Sequence, residues 1–198
     1  GVIGMSANVL LELTLSEAAA AIRGRQVSPV ELTEAALAQA ERLQPVLCSF
    51  ITILYEEARR QAKAAEAAIM RGEYLGPLHG IPLGIKDNHA TAGIRSTVGS
   101  KVLANHVPDE DAEAVRRCKH AGAVMLGKEN LEEFAAGTTS NNSHYGAVHN
   151  PWNLDHVPGG SSGGGAANVA SRATFASLRT DLGGSVGLPG PFSGVLGL

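Results

Sequence analysis

The segment Val157–Leu198 alternates glycine- and serine-rich stretches with apolar runs, and this alternation restricts the fold more than any other feature of the sequence. The stretch GGSSGGG precedes the helix-like run AANVASRATFASL, and the apolar run GVLGL, predicted to be a strand, follows later. A flexible Gly/Ser linker does not alternate with segments that can pack in a core. The segment is therefore predicted to belong to the folded body of the protein.

Helix and strand signals alternate in the preceding part of the chain. Residues 14–71 are predicted to be helical, with a capping box at Ser28 and Glu31 as the clearest helix start. The apolar run Ile81–Ile85 predicts a buried strand that ends at Lys86. The sequence DEDAEAVRRCKHAG then predicts a helix, and AVMLG predicts a second strand. This strand–helix–strand order favours an α/β fold in which helices cover a sheet.

Length and charge limit the classes of protein that this sequence can represent. Its 198 residues suffice for one sizeable domain, and a net charge of −3 with a pI near 6.2 argues against a nucleic-acid-binding protein. We find neither an apolar run of about 18 residues, as a membrane span requires, nor a signal peptide. We therefore expect a cytoplasmic protein without nucleic-acid or membrane partners, with Met5 as the natural start and with Cys48 and Cys118 as buried thiols.

Two further patterns suggest nucleotide or metal binding but lack parts that these ligands need. GAVMLGKE, residues 122–129, has the spacing of a phosphate-binding loop, yet Glu129 stands where a Ser or Thr would hold magnesium. Its apolar residues favour a strand instead. The histidines show no metal-binding spacing, and we interpret them as surface or internally satisfied side chains: His79, His89, His106, His120, His144, His149 and His156. No cofactor and no metal are predicted.

GGSVG, residues 183–187, matches the nucleophile elbow Gly-x-Ser-x-Gly, with Ser185 as the candidate nucleophile. In α/β-hydrolases the Asp and His partners follow the serine, and neither residue type occurs after Ser185. A serine hydroxyl attacks an amide only with a base beside it. If Ser185 is a nucleophile, its base lies upstream in the chain and need not be histidine.

Several separated motifs, from about Thr14 to Leu198, resemble the amidase signature family. They are GPLHGIPLGIKDN, AGAVMLGKENLEEFAAG, VHNPWNLDHVPGGSSGG and TDLGGSVGLPGPFSGVLGL, in the order in which the family has them. The resemblance implies the amidase-signature fold, an α/β fold with a mixed β-sheet layered by α-helices. It implies a single domain over residues 1–198, in which a helical region, 1–75, precedes a portion of the catalytic core, 76–198.

The resemblance implies that catalysis depends on Lys86 of GIKD, Ser161 of GGSS and Ser185 of DLGGS. In the family, the peptide bond before the residue equivalent to Ser161 is cis. The family's oxyanion hole is formed by backbone N–H groups at the nucleophile, which here belong to Leu182, Gly183, Gly184 and Ser185.

Lysine acts as a base only in its neutral form. The pKa of Lys86 must therefore fall from about 10.4, and burial can lower a lysine pKa by as much as about 3–5 units. Asp87, if it pointed inward, would oppose this shift. Ser161 would pass the proton between Ser185 and Lys86 while ammonia or an amine leaves, and water would then hydrolyse the ester.

Residues within or near these motifs are predicted to support the site or to contact substrate. Ser162 is predicted to support the site by hydrogen bonds, with a simple turn serine as the alternative. Asp181 is predicted to shape the turn before the nucleophile. Thr138, Thr139 and Ser140 are candidates for lining the acyl pocket, and an ordinary polar loop is an equal alternative.

The sequence departs from the family pattern near the nucleophile. Arg179 and Gly187 replace a usual glycine and a usual arginine, and Gly190 and Pro191 stand where the small residues Ala and Ser are common. A long side chain at position 179 is expected to disturb the oxyanion hole, and glycine at 187 removes an ion pair. The family usually continues far beyond position 198. An apparently truncated sheet is expected to be weakly stable or to form a homodimer.

The resemblance leaves three functions open. The first is an amidohydrolase that cleaves a small aliphatic or aryl carboxamide through a seryl acyl-enzyme, with this amide as its small-molecule partner. The second is the A subunit of a glutamyl- or aspartyl-tRNA amidotransferase, which releases ammonia from glutamine. The third is a shortened, non-catalytic interaction module.

Overall fold

The computed structural model describes residues 6–198, and the predicted start at Met5 lies outside this range. A mixed sheet has the strand order β1-β3-β2-β6. The strands are β1 (Phe50–Ile53), β2 (Pro82–Lys86), β3 (Val124–Glu129), β4 (Asn141–Asn142), β5 (Gly146–Ala147) and β6 (Ala176–Leu178). The helices are α1 (Ala7–Glu12), α2 (Leu15–Arg23), α3 (Pro29–Leu47), α4 (Tyr55–Met70), α5 (Glu113–His120), α6 (Gly163–Ala170) and α7 (Pro189–Phe192). The α/β fold with a mixed sheet is confirmed.

The long helices begin where their capping residues predict. The Ser28 side chain accepts hydrogen bonds from the backbone N–H groups of Val30 and Glu31, and the Glu31 carboxylate accepts one from the Ser28 N–H. Pro29 occupies the first helical position of α3, where no N–H is needed. Helices α3 and α4 pack on each other and on β3, whereas α6 packs on β2 and β6.

Strand β2 is one of the two central strands of the sheet. It runs parallel to both of its neighbours, with Lys86 opposite Glu129 of β3 and Gly84 opposite Ser177 of β6. Every residue of β2 is buried. The carboxyl end of β2 therefore brings Lys86 into the interior, and α6 packs on the same strand.

Three predictions about secondary structure are wrong. The helical region contains the strand β1 at Phe50–Ile53, which pairs antiparallel with β3. Its partner lies far away in the sequence, so no local pattern reveals the pairing. The helix-like run ends at Ala170, and Ala176–Leu178 forms strand β6. GVLGL is not a strand, because Gly194 adopts a turn with φ +68° and the chain continues irregularly to an exposed Leu198.

The phosphate-loop look-alike is part of the sheet. Residues 124–129 of the phosphate-loop look-alike form the fully buried strand β3, as predicted. Among residues 6–198 no group of His, Cys, Asp and Glu side chains could hold a metal ion. His79 is buried, and its Nδ1 accepts a hydrogen bond from the N–H of Leu75. Nε2 of His89 is buried without a hydrogen-bond partner among residues 6–198, so the prediction that every histidine is exposed or internally satisfied is wrong for His89.

Two other expectations concern thiols and membranes. Cys48 and Cys118 are free thiols. The prediction that they are buried is wrong, because both are only half-buried. Within the described residues, no helix combines the length and the apolarity needed to span a bilayer.

Candidate active site

Lys86 ends strand β2 with its side chain 1% exposed. Its Nζ lies 2.8 Å from Ser161 Oγ and 3.0 Å from Thr180 Oγ1. The pKa of Lys86 falls to about 8: burial lowers it most, the nearby charges of Asp181 and Glu129 oppose this, and the charge of Arg179 adds to the lowering. A substantial fraction of this amine is therefore neutral near pH 8.

Asp87 does not point toward this amine. It is fully buried, accepts hydrogen bonds from the N–H and hydroxyl of Thr97, and lies 3.4 Å from the amine of Lys128. Because this pair neutralises Asp87 locally, its opposing effect on Lys86 does not arise.

Ser161 links Lys86 to the candidate nucleophile. Its Oγ lies 2.9 Å from Ser185 Oγ, so one buried hydroxyl contacts both groups. The Gly160–Ser161 peptide bond is cis. The segment then enters α6, whose glycines allow close packing: a Cβ at Gly164 would lie 2.4 Å from the carbonyl oxygen of Asn130. The glycine-rich motif therefore seats Ser161 against the sheet.

Asp181 organises the loop that carries Ser185. Its carboxylate accepts hydrogen bonds from the backbone N–H groups of Gly184 at 2.5 Å, Val186 at 2.8 Å and Gly187 at 3.1 Å. These bonds lower the pKa of Asp181 to about 2. Ser185 itself is half-exposed, so a substrate can reach its hydroxyl.

The predicted oxyanion donors differ in their availability. The N–H of Gly184 is donated to Asp181, and the N–H of Ser185 also interacts with this carboxylate. Gly183 has open space around its Cβ position, and the Leu182 side chain is fully exposed. The use of the Leu182, Gly183, Gly184 and Ser185 N–H groups for an oxyanion stays a prediction.

The two serines next to the glycine-rich motif are buried and bonded to backbone. Ser162 Oγ donates to the carbonyl oxygen of Thr180 at 3.3 Å. Ser140 Oγ donates to the carbonyl oxygen of Gly159 at 3.0 Å and accepts a hydrogen bond from the N–H of Gly163 at 2.9 Å. These bonds hold the chain on either side of Ser161.

Thr138 and Thr139 are exposed. The N–H and hydroxyl of Thr139 both donate to Glu132 at 3.0 Å. The Thr139 hydrogen bonds therefore hold this loop against Glu132. A contact of Thr138, Thr139 or Ser140 with substrate stays a prediction.

Sequence reasoning missed two polar residues that touch Lys86 or its partner. Thr180 contacts Lys86 through its hydroxyl and, at 3.4 Å, through its carbonyl oxygen, and Asn88 donates to the Thr180 hydroxyl at 2.9 Å. The available signal is their place in the motifs, directly before Asp181 and two residues after Lys86.

Arg179 follows β6 directly and is half-buried. Its Nη1 is buried and has no hydrogen-bond partner among residues 6–198. Burial lowers the pKa of Arg179, and the charge of Glu129 opposes this. The expected disturbance of an oxyanion hole by Arg179 stays a prediction.

The chain matches a known protein family over most of its length. Residues 31–198 match the family model described as Amidase. The chain is 50% identical over 190 residues to the A subunit of glutamyl-tRNA(Gln) amidotransferase from Roseiflexus sp. (strain RS-1), and the match covers 96% of this chain and 39% of that protein. It is 51% identical over 185 residues to the A subunit of the amidotransferase from Methylococcus capsulatus, covering 93% and 38%.

A solved structure gives a similar result. Native peptide amidase from Stenotrophomonas maltophilia superposes with a TM-score of 0.83 and 33% identity, over 90% of this chain and 38% of that chain. The sequence thus spans less than two fifths of the length of the curated relatives that it matches.

Proposed function

Because the chain belongs to the amidase family, we propose that it hydrolyses a carboxamide with Ser185 as the nucleophile. One observation carries this proposal: Lys86 contacts Ser161, and Ser161 contacts Ser185, at 2.8 and 2.9 Å. We call these residues the proton relay. Hydrogen-bond distances of this length permit proton transfer between neighbouring groups.

In the first half of the reaction, Ser185 Oγ attacks the amide carbonyl carbon. Its proton moves to Ser161, whose own proton moves to the neutral amine of Lys86. When the tetrahedral intermediate collapses, the C–N bond breaks and the leaving nitrogen takes a proton back through Ser161. In the second half, water attacks the ester, gives up a proton along the same route, and releases the carboxylate and Ser185.

For the substrate, we propose the side-chain amide of glutamine, with a partner protein that uses the ammonia. Identity of 50–51% to the A subunits of two amidotransferases supports this reading, against 33% to the peptide amidase. General hydrolysis of small aliphatic or aryl amides has weaker support for the same reason. The intact relay argues against a non-catalytic interaction module, because such a module needs no buried lysine.

The test measures ammonia release from glutamine by the purified chain, alone and with the remaining subunits of a bacterial glutamyl-tRNA amidotransferase. We expect release that is lost in Ser185→Ala and kept in Ser16→Ala, a matched change of an exposed serine. Hydrolysis of a p-nitroanilide without any glutaminase activity would instead favour a general amidase. Absence of both activities, together with no labelling of Ser185 by a fluorophosphonate, would contradict amide hydrolysis by this chain.

A further inference from the structure

The buried carboxyl group of Glu129 lies close to the proton relay, and the reaction above assigns it no role. Glu129 is 0% exposed and pairs with Lys86 across the parallel strands β3 and β2. Paired residues of neighbouring strands point to the same face of a sheet. Glu129 Oε1 accepts a hydrogen bond from Asn168 Nδ2 at 3.0 Å, and Oε2 accepts one from Ser177 Oγ.

The glycine at position 84 marks where this carboxyl group lies. A Cβ on Gly84 would come within 1.8 Å of Glu129 Oε1. Gly84 precedes Lys86 by two residues in β2, and alternate strand residues share a face. The carboxyl group therefore crosses β2 on the face from which Lys86 projects and reaches Ser177 on β6. Gly165 of α6 leaves room above it, since a Cβ there would lie 2.8 Å from Oε2.

Charged side chains on β2, on β3 and in the segment after β6 surround Lys86 and Glu129. Asp181, Arg179 and Glu129 act on Lys86, and Arg179 and Lys86 act on Glu129. Burial raises the pKa of Glu129 to about 7, while burial lowers that of Lys86 to about 8. The two groups therefore change charge in adjoining pH ranges, where they titrate as a coupled pair.

Building on the proposed function, we propose that Glu129 is a positioning residue whose charge controls the protonation of Lys86. A neutral Glu129 leaves the lysine amine free of attraction from this side. An ionised Glu129 favours the ammonium form of Lys86, which cannot accept a proton. A base with a higher pKa is stronger but is less often neutral, so the charge at Glu129 balances strength against availability.

Glu129→Gln tests this inference because glutamine keeps the shape and both hydrogen-bond partners. Its carbonyl oxygen can accept from Asn168, and its amide can donate to Ser177. The readout is the rate at which a fluorophosphonate labels Ser185 between pH 6 and 10, with the site verified by mass spectrometry. The wild-type rate is expected to rise through a midpoint near pH 8. In Glu129→Gln we expect this midpoint to fall by about half a pH unit or more, because a negative charge is lost.

Glu56→Gln is the matched control, since it removes one charge from an exposed position on α4. Its midpoint should equal that of the wild type. Equal midpoints in Glu129→Gln and wild type would overturn the inference, because a merely structural role for Glu129 moves the rate but not the midpoint. A wild-type chain that is not labelled at any pH would contradict the proposed function instead.

Ser177→Ala serves if Glu129→Gln does not fold, as judged by circular dichroism. Ser177 is half-buried, and its hydroxyl stabilises the ionised form of Glu129. Without this hydroxyl, Glu129 stays neutral to higher pH, and the labelling midpoint should again fall. A midpoint that stays in place in Ser177→Ala, or that rises, would overturn the inference.

Discussion

Thr180 Oγ1 accepts a hydrogen bond from Lys86 Nζ at 3.0 Å, and the two residues lie 94 positions apart in the sequence. Thr180 directly precedes Asp181, which organises the loop of Ser185. One threonine thus connects the position of Lys86, the proposed base, to the position of Ser185, the proposed nucleophile. The same hydroxyl oxygen also accepts a hydrogen bond from Asn88, so it is fixed from two sides.

Thr180→Val should slow fluorophosphonate labelling of Ser185, since it removes a hydrogen bond that orients the lysine amine. Because Lys86 acts in its neutral form, the bond is one between neutral groups, which contributes about 0.5–1.5 kcal/mol and corresponds to roughly 2–10-fold in rate. Thr180→Ser keeps the hydroxyl and should restore most of the rate. A valine variant as fast as the wild type would show that this contact does not position Lys86.

Lys86→Met should abolish labelling and amide hydrolysis while making the protein more stable near neutral pH. The folded pKa of Lys86, about 8, lies below its ordinary value of 10.5, so burial costs stability in full below pH 8. This cost disappears as the pH rises toward 10.5. Removal of the amine should therefore raise the free energy of unfolding at pH 7 by about 1–3 kcal/mol.

Urea unfolding of wild type and Lys86→Met at pH 7 and at pH 10 provides the measurement. The difference between the two proteins should be smaller at pH 10 than at pH 7, because wild-type Lys86 is neutral in the folded state there. A methionine variant that is less stable than the wild type at both pH values would contradict an energetically costly lysine.

Asp181→Ala should reduce labelling of Ser185 with little change in global stability. The carboxylate binds three backbone N–H groups of an exposed loop, and a misplacement of about 1 Å at a reacting atom can cost roughly 100-fold in rate. The folded pKa of Asp181, about 2, lies below the usual value of 3.8. The small contribution of this carboxylate to stability is therefore complete above pH 3.8 and is lost as the pH falls through 2. Asp155→Ala, at another exposed loop position, is the control. Equal labelling rates in both variants would remove Asp181 from the positioning of the loop.

Gly84→Ala should destabilise the protein by about 1–3 kcal/mol, as overpacking of a filled interior does. The added methyl group would overlap the carboxyl group of Glu129, which is hydrogen-bonded on both sides. Gly187→Ala is the comparison, because a Cβ there meets its nearest atoms only at 3.9 Å and beyond. Chemical denaturation should separate the two variants, and similar stabilities would mean that Glu129 moves aside without cost.

Local signals suffice to predict the long helices and the two central strands. Ser28 with Glu31 marks the start of α3 because capping depends only on residues within one turn. Strand β1 escapes prediction because its pairing depends on β3, more than seventy residues later. The strand predicted at GVLGL is wrong because an apolar composition does not report the turn at Gly194.

The residues of the site also fall into those that the sequence predicts and those that it does not. Lys86, Ser161 and Ser185 stand in recognisable motifs, so their proximity can be expected from the sequence. In the sequence, Glu129 stands out only because it occupies the position where a phosphate-binding loop needs a Ser or Thr. Its burial depends on Ser177 and Asn168, which are 48 and 39 residues away. Such contacts arise from the packing of α6 and β6 on the sheet.

The relay joins a strand end, the entry to a helix and a loop, with separations of 75 and 24 residues along the chain. No short stretch of the polypeptide holds both the oxygen of Ser185, the proposed nucleophile, and the amine of Lys86 that is proposed to activate it. On the proposed mechanism, the serine therefore remains an ordinary alcohol until folding brings these three segments together. Labelling of this serine by an organophosphorus probe would then report that the relay has assembled, and a chain that stalls before that point would not be labelled.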